Sequence, residues 1–382
     1  VKIATSCVRA GHEPDEDTGA VNVPIYATST YAYRRFGEHR GWEYSRTGNP
    51  TRSALERAMA ELEGGADGIA FASGLAAVDA ITDLLEPGDH VAAVDNLYGG
   101  TYRLFSTITE RHGIEISFVD PARGGAFAEA CSDRTKAVFV ETPTNPMMRL
   151  ADLAEVAAAA HENGALMVVD NTFLTPVLQR PIELGADLVV HSTTKYLNGH
   201  SDGIGGVIVA RDADLAERLH TVQNNVGAIL GPFDAYLVLR GLKTLAVRMA
   251  AHEANGRSLA GFLASRKDVE AVHYPGLASH PQHRLARSQQ GGFGGMISFD
   301  LGSLERARAF CDGVEIFTLA ESLGGVESLV CHPATMTHAA VPAEERARLG
   351  IGDGLVRLSV GIEDVSDLEE DIAKGLEAAH RA

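Results

Sequence analysis

Apolar residues along this chain follow two different rhythms. From Thr51 to Leu62 they recur at helical spacing, and Gly64-Gly65 supplies the stop. Short, almost wholly apolar runs then take over, at Gly68–Ala72, His90–Val94, Ile114–Val119, Ala137–Glu141, Leu166–Asp170, Asp187–His191 and Gly206–Ala210. Between several of them lie helix-period stretches such as Asp152–Asn163. A strand that is apolar on both faces must be covered on both. The alternation therefore predicts an α/β fold, a mostly parallel sheet covered by helices. A ligand then belongs beyond the carboxyl ends of the strands.

A helical passage over Pro232–Ala264 leaves that pattern. Beyond it, strands at Gly295–Leu301 and Leu355–Val360, a helix at Leu304–Cys311 and a last helix from Ser366 predict a smaller α+β unit. Ser366 and Glu369 have the spacing of a capping box. The first fifty residues have neither rhythm. Val21–Tyr33 is rich in Thr, Tyr and β-branched residues, and Gly37–Pro50 mixes aromatics, charges and turn formers. Such a segment makes no core alone and reads as an extended arm laid on another surface, a partner subunit being one. The chain thus divides into an arm over 1–50, a large domain over 51–240 and a C-terminal small domain over 241–382.

A length of 382 residues agrees with two domains. The 33 Lys and Arg against 51 Asp and Glu leave a net charge of -18, which argues against nucleic acid or an acidic membrane surface as partner. Cys7, Cys131, Cys311 and Cys331 fit neither a zinc spacing nor a disulfide framework, so reduced thiols in a cytoplasm are expected. Val1–Asp17 has no signal-peptide pattern, and no stretch approaches the ~20 apolar residues of a membrane helix. His280 and His283 lack a third ligand in sequence, and no metal is expected. Small-molecule chemistry is the class that remains.

Four places carry that chemistry. His191-Ser192-Thr193-Thr194-Lys195-Tyr196 sets a lysine among hydroxyls after a buried strand. A buried, deprotonated lysine can form a Schiff base with an aldehyde cofactor, and the hydroxyls suit a phosphate; a surface lysine in a polar loop reads the same locally. Met167-Val168-Val169-Asp170-Asn171-Thr172 ends an apolar strand in a carboxylate. There it can keep a pyridinium nitrogen protonated, cap a helix or bind magnesium, although only the first accounts for the lysine loop that follows. Ser73-Gly74 opens a helix whose first amides can take an anion, and Tyr98 can stack on a planar ring or simply pack.

Together these residues form a pyridoxal phosphate constellation. With Tyr44-Ser45-Arg46-Thr47-Gly48-Asn49-Pro50-Thr51, Glu141-Thr142-Pro143-Thr144-Asn145-Pro146, Glu321-Ser322-Leu323-Gly324-Gly325 and Val356-Arg357-Leu358-Ser359-Val360-Gly361, the whole chain resembles the cystathionine γ-lyase and γ-synthase family, Cys/Met-metabolism enzymes of the fold type I pyridoxal phosphate group. The resemblance implies Lys195 as the Schiff-base lysine, Asp170 as the pyridinium partner and Tyr98 as the stacking ring. It implies Ser73, Gly74, Leu75, Thr172, Ser192 and Thr194 around the cofactor, with Asn145 near its phenolic oxygen. Tyr44 and Arg46 match a pair that reaches a neighbouring subunit's phosphate, which implies a homotetramer of active-site-sharing dimers. Arg357 matches the arginine for the substrate α-carboxylate, with Ser322 beside it.

Glu43, Arg103 and Glu321 match positions that face the distal end of cystathionine in this family; each taken singly also reads as a solvated surface charge. Gly100, with Glu43 and Glu321, departs from the methionine γ-lyase pattern. Tyr274-Pro275-Gly276-Leu277 and the Ser279–His283 stretch resemble the lyase branch more than the synthase. The expected reaction is γ-elimination of L-cystathionine, with γ-replacement on an O-acylhomoserine as the alternative. An inactive protein of the same fold, serving as a binding or regulatory subunit, is the reading from a different class.

Overall fold

The computed structural model of this chain describes residues 1–382, the side chain of Ile108 excepted. The seven apolar runs form strands β1 (Asp67–Phe71), β2 (His90–Val94), β3 (Glu115–Val119), β4 (Thr135–Glu141), β5 (Leu166–Asp170), β6 (Leu188–Ser192) and β7 (Gly206–Ala210). They lie in the order β1-β7-β6-β5-β4-β2-β3. Strands β2 to β6 run parallel to one another, whereas β7 is antiparallel to both β1 and β6. The connection explains the exception. β6 passes into β7 through a helix-free loop over residues 193–205, which turns the chain back instead of crossing over. That loop hangs from the carboxyl end of β6 and carries Lys195.

Val138, Val140, Val168 and Val189 in the central strands are fully buried, as expected for a sheet covered on both faces. Each such side chain contributes about 1.5–3 kcal/mol on leaving water. Helix α1 (Ile3–Arg9) buries Cys7 in the same core, although no helix is legible there in the sequence. The remainder of the first fifty residues holds no regular element longer than isolated bridges. Helix α2 (Pro50–Glu63) begins one residue earlier than its periodicity suggests, because Asn49 accepts from the amides of Thr51 and Arg52. Helix α3 (Gly74–Thr82) starts at the end of β1, with Ser73 Oγ accepting from Ala76 N at 3.0 Å. β7 crosses close beneath that start: a Cβ on Gly206 would lie 2.3 Å from Ser73 O.

The helical passage after Pro232 is two helices, Pro232–Leu242 and Leu245–Ala264. Arg248 sits at the break, buried, donating to Gly241 O at 2.8 Å and to Tyr196 O at 2.7 Å. The break is thereby tied to the lysine loop. Helix Leu245–Ala264 places Met249 in the first core and Leu259 and Leu263 in a second one. Around the second core lies a sheet of β8 (Ala271–His273), β9 (Met296–Asp300), β10 (Thr318–Leu319), β11 (Leu329–Cys331) and β12 (Leu355–Ser359), ordered β10-β11-β12-β9-β8. Strands β9 and β12 are legible in the sequence; the others are two or three residues long and show no period. The last helix, Val365–Arg381, lacks the capping box. Asp364 supplies the cap by accepting from Ser366 N at 2.9 Å, and Glu369 instead accepts from Ser258 Oγ at 2.8 Å. No helix among the described residues is long and apolar enough to cross a membrane.

Candidate active site

The carboxyl ends of β1, β2, β4, β5 and β6 open onto one cavity of about 330 Å³, closed on its far side by residues of the C-terminal sheet. Lys195 enters from the loop after β6, and its Nζ donates to Ser322 Oγ at 2.8 Å. Ser322 offers that oxygen from φ +94°, a backbone conformation that side-chain-bearing residues rarely take. Burial, and then the positive charge of Arg357, lowers the lysine pKa to about 8, while Glu321 opposes the shift.

Asp170 ends β5 inside the cavity, and its Oδ1 accepts from Thr172 N at 3.0 Å. Burial raises its pKa, and the Thr172 hydrogen bonds pull it back. A cation beside it, such as a protonated ring nitrogen, favours the ionised form. Thr172 Oγ1 also accepts from Ser192 N at 2.9 Å, so the ends of β5 and β6 are pinned together. Glu141 pairs with Asp170 in strand register and lines the same cavity. Burial, with the charge of Asp170 second, pushes its pKa well up. Its Oε2 accepts from Tyr98 N at 2.8 Å.

Arg357 lies mid-strand in β12 and is buried. Its Nη1 donates to Asn145 Oδ1 at 2.9 Å and its Nη2 to Ser322 O at 3.0 Å. Each terminal nitrogen keeps a second N–H, so the fixed guanidinium can still grip a carboxylate. On the opposite side, Ser73, Gly74, Leu75, Ser192 and Thr194 line the cavity around the start of α3. Gly74 keeps that seat open, since a Cβ there would lie 3.0 Å from Ser192 Cβ. These side chains fit pyridoxal phosphate: an amine for its aldehyde, a carboxylate for its ring nitrogen, and hydroxyls and helix amides for its phosphate.

Tyr98, a residue 42% exposed, lines the cavity from the start of helix α4 (Gly99–Arg103). Gly100 leaves room for its ring, because a Cβ on Gly100 would lie 2.5 Å from a ring carbon. Glu321 also lines the cavity. Arg103 does not: it is exposed at the end of α4. Glu43, Tyr44 and Arg46 are exposed on the arm, outside the cavity of their own chain. Arg46 donates to Asn224 O at 3.2 Å and lies 5.7 Å from the centre of the Tyr44 ring. Eight lining residues have no role assigned by the sequence, Glu141, Phe173 and Thr337 among them. The strand-end logic that singles out Asp170 applies equally to Glu141. Thr337 sits in a stretch without strand or helix and offers no local signal.

The lysine pKa has a direct consequence. Capture of pyridoxal phosphate by the apoprotein needs a neutral amine, so its rate is expected to rise with pH through about 8 and then level off. Removing the Arg357 charge moves that midpoint upward, because the cation is one of the two causes of the lowering. Stopped-flow absorbance of the cofactor reads both, and a profile flat across this range contradicts the assignment.

A model of the Cys/Met metabolism PLP-dependent enzyme family matches residues 4–377. A cystathionine gamma-lyase of Bacillus subtilis is 52% identical over 377 residues, covering 99% of this chain and 100% of its own length. A cystathionine beta-lyase of Coxiella burnetii is 53% identical, covering 98% and 97%. Among solved structures, a cystathionine gamma synthase from Xanthomonas oryzae pv. oryzae, in complex with aminoacrylate and cysteine, superposes with a TM-score of 0.97 at 48% identity, covering 100% of this chain and 99% of that one.

Proposed function

The chain belongs to the Cys/Met metabolism PLP-dependent enzyme family, a fold type I group with pyridoxal phosphate as cofactor, and from that membership we propose that it cleaves L-cystathionine at the γ-carbon. With one water consumed, the products are cysteine, 2-oxobutyrate and ammonia. The observation that carries this reading is the meeting, in one cavity, of a lysine with pKa near 8, a fixed arginine and an acidic residue at the rim. When bound, pyridoxal phosphate supplies an aldehyde for amine exchange and a ring that withdraws electrons from the substrate.

The side chains do the rest. Asp170 keeps the ring nitrogen protonated. Ser73, Gly74, Leu75, Ser192 and Thr194 hold the phosphate. Arg357 grips the substrate α-carboxylate, and Asn145 holds Arg357 in place. Lys195 Nζ, poised between its charged and neutral forms, takes a proton from Cα and then one from Cβ and returns them as the product forms, a task that needs reach as far as Cβ. Tyr98 stacks on the ring and can hand a proton to the departing sulfur. Glu321 suits the distal ammonium of cystathionine, with Glu43 and Arg103 completing that end in the assembled enzyme.

Glu43, Tyr44 and Arg46 stand away from their own cavity on an arm that also exposes Ile25, Tyr33 and Phe36. This supports a homotetramer of dimers in which each arm completes a neighbour's site. The four cysteines are free, which suits a reducing cytoplasm.

The β-lyase and γ-synthase names among relatives of similar identity define the competing reactions. One assay separates them. Purified enzyme with L-cystathionine is expected to release 2-oxobutyrate and cysteine in equal amounts. Pyruvate with homocysteine means β-cleavage. Rapid cystathionine formation from an O-acylhomoserine and cysteine, without 2-oxobutyrate from cystathionine, means the synthase.

A further inference from the structure

Tyr98 is 42% exposed, so the pose of its ring depends on the backbone that carries it. The peptide joining Leu97 to Tyr98 is held at both ends. Its N–H donates to Glu141 Oε2 at 2.8 Å, and its C=O accepts from His338 Nε2 at 3.2 Å. The same Nε2 lies 3.0 Å from Asn145 O, and the Asn145 side chain accepts from Arg357. Carbonyl oxygens only accept, so Nε2 carries the proton and Nδ1 is left to accept from the Thr337 hydroxyl at 2.9 Å. Burial, aided by the Arg357 charge, lowers the His338 pKa to about 4 and keeps the ring neutral.

His338 comes from the segment between β11 and β12, with its own N–H on Pro333 O at 2.9 Å. It therefore reaches two loops of the first sheet from the other side of the cavity. The approach is close: a Cβ on Gly99 would lie 2.2 Å from Thr337 O.

We propose that His338 is a positioning residue that couples the ring pose of Tyr98 to the Arg357 clamp through one N–H shared between Leu97 O and Asn145 O. The inference rests on the pyridoxal phosphate reading of the cavity, and His338 itself does not line that cavity. If either loop shifts, the shared hydrogen bond lengthens, so the ring and the clamp are held in one arrangement. An unpaired buried carbonyl is costly, which favours that arrangement over alternatives.

Apoprotein of the wild type and of His338→Leu, His338→Gln and His338→Asn is titrated with pyridoxal phosphate. Affinity, the circular dichroism of the bound cofactor and the melting temperature are read. His338→Leu is expected to bind the cofactor about tenfold more weakly, the factor carried by one ordinary buried hydrogen bond, with an altered dichroism band. Gln can place an amide N–H where Nε2 was and is expected to stay within about twofold of wild type; Asn is too short and behaves like Leu. Variants that lose melting temperature but keep affinity and dichroism overturn the proposal, since His338 would then only support the fold. If His338→Leu fails to fold, the difference between Gln and Asn decides the same question: equal affinities for the two overturn the coupling. The titration decides the inference whichever sulfur amino acid proves to be the substrate.

Discussion

Lys195→Ala is expected to reduce release of 2-oxobutyrate from cystathionine by about 10²–10⁴-fold, the range associated with a positioned acid–base group. The variant should fold. The lysine pKa is lowered chiefly by burial, so the native state gains little from its charge, and the side-chain bond it gives up is the one to Ser322 Oγ. Two readouts separate lost chemistry from lost binding. Borohydride reduction of the wild type should attach the cofactor to the peptide containing Lys195, and the variant should yield no such adduct. The variant should still take up pyridoxal phosphate reversibly, because Asp170 and the start of α3 are untouched. Turnover within tenfold of wild type would remove Lys195 from the reaction.

Arg357→Leu is expected to act elsewhere, on KM. Loss of a fixed guanidinium from a buried carboxylate pair costs about 2–5 kcal/mol, or roughly 30- to 3,000-fold in substrate affinity. Cofactor affinity should change far less if Arg357 serves the substrate carboxylate as proposed. The substitution also leaves Asn145 Oδ1 and Ser322 O without their donor, and loosening of that side adds to the loss. Arg357→Lys should recover only a small part, because one ammonium cannot bridge Asn145, the Ser322 carbonyl and a carboxylate at once. Steady-state kinetics with cystathionine checks this, and an unchanged KM for either variant contradicts the clamp.

Both effects depend on residues whose meaning is legible at different levels. Lys195 and Asp170 stand out because a buried strand that ends in a functional group leaves few places for that group to point. The α/β layering is legible for the same reason: β4 to β6 are apolar on both faces, and only a covered parallel sheet satisfies that. Arg357 gives no such signal. It sits mid-strand in β12 with apolar neighbours, and only the resemblance to a family gives it a role. Glu141 carries the same strand-end signal as Asp170 but nothing local that gives it a role, and His338 carries no signal of its own. Glu141 looks like any strand-end carboxylate, and His338 lies in a stretch without period.

The chain alone thus determines what local rules can express: the alternation of elements, the loop that bears the lysine, the stop at Gly64 and the helix start at Ser73. Ser366 resembles a cap because spacing is local; Asp364 takes the cap because its carboxylate is better placed on the folded backbone. Tertiary structure decides everything that needs two distant segments to meet. It puts Ser322 against Lys195, Asn145 against Arg357, and His338 across to Leu97, contacts spanning 127, 212 and 241 positions. No periodicity encodes a contact at that separation, because hydrophobic pattern sets only which face is buried, and packing chooses what that face meets.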